Sequence, residues 1–398
     1  MSEVEVRYMR ILFDFQIFNY QRFGGVSRYF FEIIRRLQES SQHQVALALA
    51  YSDNEYVMGD PVFSAVSRVP RSLYRTSIRP KLSIFKPLKI PALADRMYNF
   101  LNPPVEAVNE KRSCEMLRRG GVDVFHPTYY NGYYLNKLNG IPYVLTVYDM
   151  IHEQYPEFFP LSDETVYNKK IAMDGAARII AISNNTKRDL LKYYDIDSSK
   201  IDVIYLGNSM SPDVHDENIS VPDKFLLFVG SRSAYKNFYF FVIAIKPILI
   251  REKDVKIVCT GSAFTRDEEA FFEHHGLRGR FISYFSDEKT LSQLYRQALL
   301  FIFPSQYEGF GIPVLEAFAC GCPMALSNTG SLPEVGGDAA LYFDPKSPDE
   351  LRKAVEKILY CESVRRDLVE KGYRRLREFS WEKTMEETLK SYERAIAG

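Results

Sequence analysis

Net charge is what this chain most plainly lacks. Its 51 lysines and arginines balance 51 aspartates and glutamates. No overall field of either sign results, which argues against a nucleic-acid partner. Cysteine is scarce too: five residues, an odd number, at 114, 259, 320, 322 and 361. They offer neither a disulfide framework nor zinc spacing, as expected of reduced thiols in a cytosolic protein. No apolar run approaches the roughly 18–20 residues that cross a bilayer. The charged start, Met-Ser-Glu-Val-Glu-Val-Arg, has no apolar signal-peptide core. The expectation is therefore a cytoplasmic protein, working free or at the inner face of the membrane. Internal repeats and low-complexity tracts are missing. So is G-x-G-x-x-G after the first strand pattern, which speaks against a dinucleotide-binding dehydrogenase.

What is present is a long alternation of short apolar strands and helical patterns. Strand-like runs occur at 11–14, 45–48, 122–125, 143–147 and 178–182, with helical patterns between most of them, as at 27–37 and 184–193. The pattern restarts after Pro222 with runs at 225–229, 255–259 and 281–285. At 398 residues and 46% hydrophobic content the chain can bury two ordinary cores. This predicts an α/β protein of two doubly wound parallel sheets, with a linker in the polar stretch 209–223 and ligands gathering in the cleft between the halves.

The most informative stretch is Pro304-Ser305-Gln306-Tyr307-Glu308-Gly309-Phe310-Gly311-Ile312-Pro313-Val314-Leu315-Glu316, which follows the apolar run 298–303. A buried strand, a glycine loop and a helix opening at Pro313 would form an anion site on the bare amides of Phe310, Gly311 and Ile312. Glu308, in the loop, can accept hydrogen bonds from hydroxyls. Glu316, expected in the first helical turn, suits the adjacent hydroxyls of a ribose. Sugar, diphosphate and ribose in that order describe a nucleotide-sugar. Taken alone, the pair reads rather as a helix cap and a solvated first-turn acid.

With its glycines and proline, the segment resembles the signature of the retaining glycosyltransferases of family four, which share the two-domain GT-B fold. The likeness extends over most of the chain and is nearest the branch that builds surface polysaccharides, including O-antigen mannosyl- and glucosyltransferases. It implies a first domain at 1–215, a nucleotide-sugar domain at 216–379, and a last helix at 380–398 that packs back on the first domain. It further implies that Glu308 contacts the transferred sugar and Glu316 the ribose. In Gly230-Ser231-Arg232-Ser233-Ala234-Tyr235-Lys236, it sets Arg232 and Lys236 against the leaving diphosphate, where two cations suit two negative charges. With those cations and a helix N-terminus available, no metal or other cofactor is expected. Asp195-Ile196-Asp197 reads as a turn after a helix.

The first half supplies the other candidates. Gly24-Gly25, after the first strand, would allow close approach of the donor phosphate or the acceptor hydroxyl. The resemblance often places His-Asp where this chain has Tyr148-Asp149. Asp149 keeps its place, while His152 is a substitute source of an imidazole. His126 ends another strand, and Tyr129, Tyr130, Tyr133 and Tyr134 could stack on a sugar or pack on their own domain. Tyr284 lies near the expected base site. Residues 68–118 hold eleven Lys/Arg against four Asp/Glu, interleaved with aromatics. They read as a solvated insertion or as peripheral contact with an anionic membrane. The expected reaction moves a hexose from a UDP- or GDP-sugar, with a lean to UDP-glucose, to a glycan or lipid-linked acceptor. A nucleotide-sugar sensor without catalysis is the rival from another class.

Overall fold

A computed structural model describes residues 8–69, 103–213, 219–232, 234–285 and 287–398. In the first half, β1 (Arg10–Phe13) lies between β2 (Gln44–Leu47) and β3 (Val124–His126), and β4 (Val144–Val147), β5 (Arg178–Ala181) and β6 (Ile201–Val203) form a second parallel set. A bridge between Phe125 and Tyr143 joins the sets. The strand order is therefore 2-1-3-4-5-6.

The second half holds β7 (Phe225–Phe228), β8 (Lys256–Thr260), β9 (Phe281–Tyr284), β10 (Leu300–Phe303), β11 (Met324–Ser327) and β12 (Leu341–Phe343) in one parallel sheet of order 9-8-7-10-11-12. The order reverses between β7 and β10. In open α/β sheets ligands bind in the crevice beyond the strand C-termini at such a reversal. The molecule thus has the GT-B architecture, two Rossmann-like halves with mostly buried parallel strands.

The apolar runs behave as strands because both sheet faces are covered. Every residue of β4, β7, β10 and β11 is buried, leaving no polar face to alternate with. The helices follow the other period. In α1 (Gly25–Ser40), Tyr29, Phe30, Ile33, Ile34 and Leu37 form one buried stripe. Three strands of only three or four residues, β6, β11 and β12, are not among the runs read from the sequence; their neighbours in the sheet define them.

Five more helices matter below: α2 (Asn184–Tyr193), α3 (Phe238–Arg251), α4 (Arg266–His274), α5 (Ile312–Ala319) and α6 (Trp381–Ala397). Ser380 caps α6 by accepting from the Lys383 amide at 3.1 Å. This last helix packs against the first half. Trp381, 1% exposed, donates its indole N–H to Ser209 Oγ at 2.7 Å. Further along α6, Ser391 donates to Asp202 Oδ2 at 2.8 Å and Tyr392 meets His126. Most of the basic stretch 68–118 lies outside the described residues; its end is the helix Val105–Arg119. Among the described residues no helix is long and apolar enough to cross a membrane.

Candidate functional site

Two loops meet at the sheet reversal. One leaves β7 at Gly230, and its short turn Ala234–Lys236 ends on a cation. The other leaves β10 and runs through Glu308 to Gly311. They are joined where the Gln306 amide donates to the Tyr235 carbonyl at 2.8 Å. Lys236 Nζ lies 2.5 Å from Glu308 Oε1, and neither side chain is more than 15% exposed. Burial pulls the Lys236 ammonium down, but the carboxylate of Glu308, Tyr235 and Asp149 outweigh it and hold the group above its ordinary value. Lys236 is therefore a permanent cation at neutral pH.

Gly311, at φ +97°, takes the left-handed turn that starts α5, a conformation strained for any residue with a Cβ. Ile312, not Pro313, is the first helical residue; Pro313 follows it at a position where its missing N–H costs no helical bond. Gly309 serves a different need. A Cβ built there would fall 1.8 Å from the Tyr148 carbonyl oxygen and 3.0 Å from Asp149 Cβ. This glycine lets the two halves approach closely. Across the same gap a Cβ on Gly25 would sit 3.3 Å from Ile312 Cδ1, so the two glycine motifs face each other.

Asp149 stands beside that contact. Its Oδ1 accepts from the Ile151 amide at 3.1 Å, and its carbonyl takes a 2.9 Å bond from the buried Lys169 ammonium. Lys169 is paired in turn with Glu153 at 3.0 Å. The structure thus brings Asp149, Lys236, Glu308 and the amides of residues 310–312 to one place from both halves.

Several expectations are corrected. Glu316 lies in the second turn of α5 and is 5% exposed, not a first-turn acid in solvent. Its Oε1 takes a 2.8 Å bond from Arg28 Nη1, and its Oε2 a 3.2 Å bond from the Tyr295 hydroxyl. Burial pushes its carboxyl up, against the pull of Arg28. Arg28 comes from α1 of the first half, three residues beyond Gly25, and also holds Glu288 at 3.0 Å.

Arg232 has its partners within its own half, with Nε 2.5 Å from Glu268 Oε1 and Nη2 donating to the carbonyls of Ser262 and Ala263 at 3.0 and 3.1 Å. Glu268 belongs to the capping box of α4 with Thr265, so the ion pair stiffens that helix start. Spacing in the sequence placed two cations in one loop but could not show that an acid 36 residues later claims one of them.

His126 is not on an acceptor surface. It is fully buried under α6, with Nδ1 2.7 Å from the Tyr392 hydroxyl and Nε2 2.9 Å from Thr146 Oγ1. Burial depresses its pKa to about 3. Tyr134 is also buried, and Tyr133 donates to Asp14 Oδ2 at 3.1 Å. The aromatic platform shrinks to Tyr129, stacked on Tyr148 with ring centres 6.2 Å apart, and to buried Tyr130. Tyr148 itself donates its hydroxyl to the Thr128 carbonyl at 2.8 Å. His152 stacks on Phe159 at 3.7 Å, with Nε2 3.5 Å from Asp163.

The rest fall as follows. Gly24 precedes α1, and Gly25 opens it. Gly230, at φ +113°, leaves β7 with its amide on Thr260 Oγ1 at 3.1 Å. Tyr284 ends β9 and donates to the Ser220 carbonyl at 2.8 Å. Asp197 caps a turn by accepting from the Ser199 amide at 2.8 Å. Sequence reasoning missed Arg28, Tyr295, Ser183, Thr186 and Ser331. Of these only Arg28, directly after the glycine pair, carried a usable signal.

With this geometry in hand, the chain was compared with known proteins. The family model described as Glycosyltransferase Family 4 matches residues 23–209, and the one described as Glycosyl transferases group 1 matches residues 212–375. O-antigen chain mannosyltransferase B of Escherichia coli is 27% identical over 403 residues, covering 96% of this chain and 99% of that protein. Sucrose-phosphate synthase from Thermosynechococcus elongatus superposes with a TM-score of 0.72 at 17% identity, covering 98% of this chain and all of that one. Anabaena HepE, solved in complex with UDP-glucose, gives 0.65 at 17% identity, over 96% of this chain and 100% of that one. At such identities the two structures speak for the fold alone.

Proposed function

We propose, from the premise that this chain belongs to glycosyltransferase family four, that it is a retaining, metal-independent hexosyltransferase of surface-polysaccharide synthesis. The observation that carries the reading is the meeting of Lys236, Glu308, Asp149 and a bare-amide helix start at the sheet reversal. A nucleotide diphosphate sugar matches that set part by part. The amides of Phe310, Gly311 and Ile312 and the Lys236 ammonium take the diphosphate, as helix starts and cations do for phosphates. Glu308 and Asp149 accept from hydroxyls of the sugar. Glu316 takes the ribose hydroxyls, exchanging its bond from Arg28 or Tyr295 for them.

Transfer then needs little covalent chemistry from the protein. The bond from the anomeric carbon to the phosphate oxygen breaks as the acceptor oxygen bonds to the same face of that carbon. The acceptor proton passes to the departing phosphate oxygen. Lys236 and the loop amides stabilise the negative charge that develops there, the term that usually dominates such catalysis. A fixed cation and oriented dipoles can stand in for a divalent ion. Arg232, held by Glu268, supports the loop from behind.

The full-length relative is named a mannosyltransferase, which moves the favoured sugar from glucose, preferred on abundance alone, to mannose carried on GDP. UDP-glucose is the second choice. The acceptor is a glycan or lipid-linked saccharide hydroxyl arriving between Gly25 and Tyr129. Contact with an anionic membrane through 68–118 would bring such an acceptor within reach.

One experiment tests most of this. The protein is incubated with UDP-, GDP- and ADP-sugars, with and without chelator, and nucleoside diphosphate release is measured. The anomeric configuration of any product is read by NMR. Release from one donor, undiminished by chelator, with retained configuration supports the reading. Binding without release from any donor would make the protein a sensor instead.

A further inference from the structure

We infer that Ser183 and Thr186 are positioning residues: hydroxyls of the first half that turn the Gly309–Phe310 peptide of the second so that its N–H faces the donor phosphate. The inference rests on the phosphate role just proposed for the loop amides.

Both side chains are fully buried at the start of α2. Ser183 caps that helix, accepting from the Thr186 amide at 3.0 Å. A cap needs only an acceptor, and Asp or Asn would serve as well. Here the hydroxyl protons go elsewhere. Ser183 Oγ donates to the Gly309 carbonyl at 2.7 Å and Thr186 Oγ1 donates to the same oxygen at 3.3 Å. Two buried donors from one half thus converge on a single carbonyl of the other.

Fixing that oxygen fixes an amide. In a planar trans peptide the C=O of one residue and the N–H of the next point in opposite directions. Holding the Gly309 carbonyl against α2 therefore turns the Phe310 N–H away from α2. That N–H has no hydrogen-bond partner among the described residues. The neighbouring peptides are held differently. Ser331, within the second half, places its hydroxyl 2.9 Å from the Glu308 carbonyl and 2.8 Å from that of Phe310. Among the described residues, only the middle peptide of the three is held from the opposite half. Gly309 itself could not resist a flip, because it has no side chain to hinder one.

The same helix secures the loop a second time. The Tyr307 hydroxyl donates to Asp189 Oδ2 at 2.7 Å, two residues before the peptide in question. The set of phosphate-facing amides is complete only when the halves meet, so closure of the cleft and readiness for catalysis become one event.

The test compares wild type with Ser183→Ala, Thr186→Val, the double variant and Thr186→Ser. Donor turnover is measured together with the affinities of the donor's nucleoside diphosphate and of its nucleoside alone. We expect the double variant to lose about 100-fold in turnover, the scale of one misplaced transition-state donor. Its diphosphate affinity should fall about tenfold while nucleoside affinity stays level, since only the phosphate end meets the amide. Thr186→Ser, which keeps the hydroxyl, should stay within about threefold of wild type. Unchanged turnover in the double variant overturns the inference, as does equal weakening of nucleoside and diphosphate, the mark of a purely structural role. If the double variant does not fold, Thr186→Val decides, because it leaves the Ser183 cap in place. A wild-type protein that binds no nucleoside diphosphate removes the proposed function and this inference with it. A wild type that turns over normally beside equally active variants removes the inference alone.

Discussion

Lys236→Ala is the substitution whose consequences the structure fixes most closely. The ammonium lies 2.5 Å from Glu308, with side-chain exposures of 15% and 14%. At an effective dielectric near 20, two unit charges about 4 Å apart interact by roughly 4 kcal/mol. A phosphate oxygen gaining charge beside Lys236 would feel an interaction of that order, and more of it in the transition state than in the bound donor. At about 1.4 kcal/mol per tenfold, turnover should fall about 100- to 1,000-fold, with a smaller change in donor KM. Stability should change much less. Glu308 and Lys236 keep side-chain exposures of 14% and 15%, against 7% and 6% for Glu268 and Arg232, so stranding Glu308 should cost less than the roughly 3–5 kcal/mol of a fully buried pair. The assay is initial-rate release of nucleoside diphosphate across donor concentrations, beside a thermal melt. Turnover within threefold of wild type at an unchanged melting temperature would refute the argument. So would a loss of activity that the melt fully accounts for.

Four further outcomes follow from other contacts. Gly309→Ala should abolish transfer while leaving most of the fold intact, because its methyl would sit 1.8 Å from the Tyr148 carbonyl and drive the halves apart; circular dichroism and small-angle scattering would separate the two effects. Arg232→Met should cost about 3 kcal/mol of stability by stranding buried Glu268, a larger loss than for Lys236→Ala; matched denaturant titrations check the ranking. Glu316→Gln should weaken nucleotide binding about tenfold or more while a free phosphosugar is unaffected, as read by calorimetry. His126, neutral in the fold with a pKa near 3, binds its proton readily only when unfolded, at an ordinary value near 6.5. Its contribution is complete above pH 6.5 and drains away as pH falls toward 3. Between pH 7 and 5.5 that amounts to about 1 kcal/mol, and His126→Asn should flatten the pH dependence of unfolding by that much.

The sequence read well wherever one local pattern served one purpose. Strand runs buried on both faces, the stripe of α1, Ser380 as a cap and the glycine turn into α5 depend on neighbours within a few residues. They were visible without coordinates. The positions of Glu308 and Lys236 were legible for the same reason, each lying in the loop that follows its own strand. The tie of Arg232 to Glu268 was not visible, because Glu268 lies on a helix that no spacing rule connects to it. His126 looked available since it ends a strand beside tyrosines, but α6 arrives from 266 residues away and seals it with Tyr392.

By itself, the order of amino acids determined the α/β class, the two-sheet layout and a glycine loop with a helix start between two carboxylates, because strand, turn and helix-start preferences act over short distances. Only the tertiary structure decided which charges pair, that Glu316 is buried against Arg28, and that hydroxyls of one half hold a peptide of the other. Those choices depend on which surfaces meet when the halves come together. Residues more than 100 positions apart compete there for the same few partners, and burial makes each pairing matter.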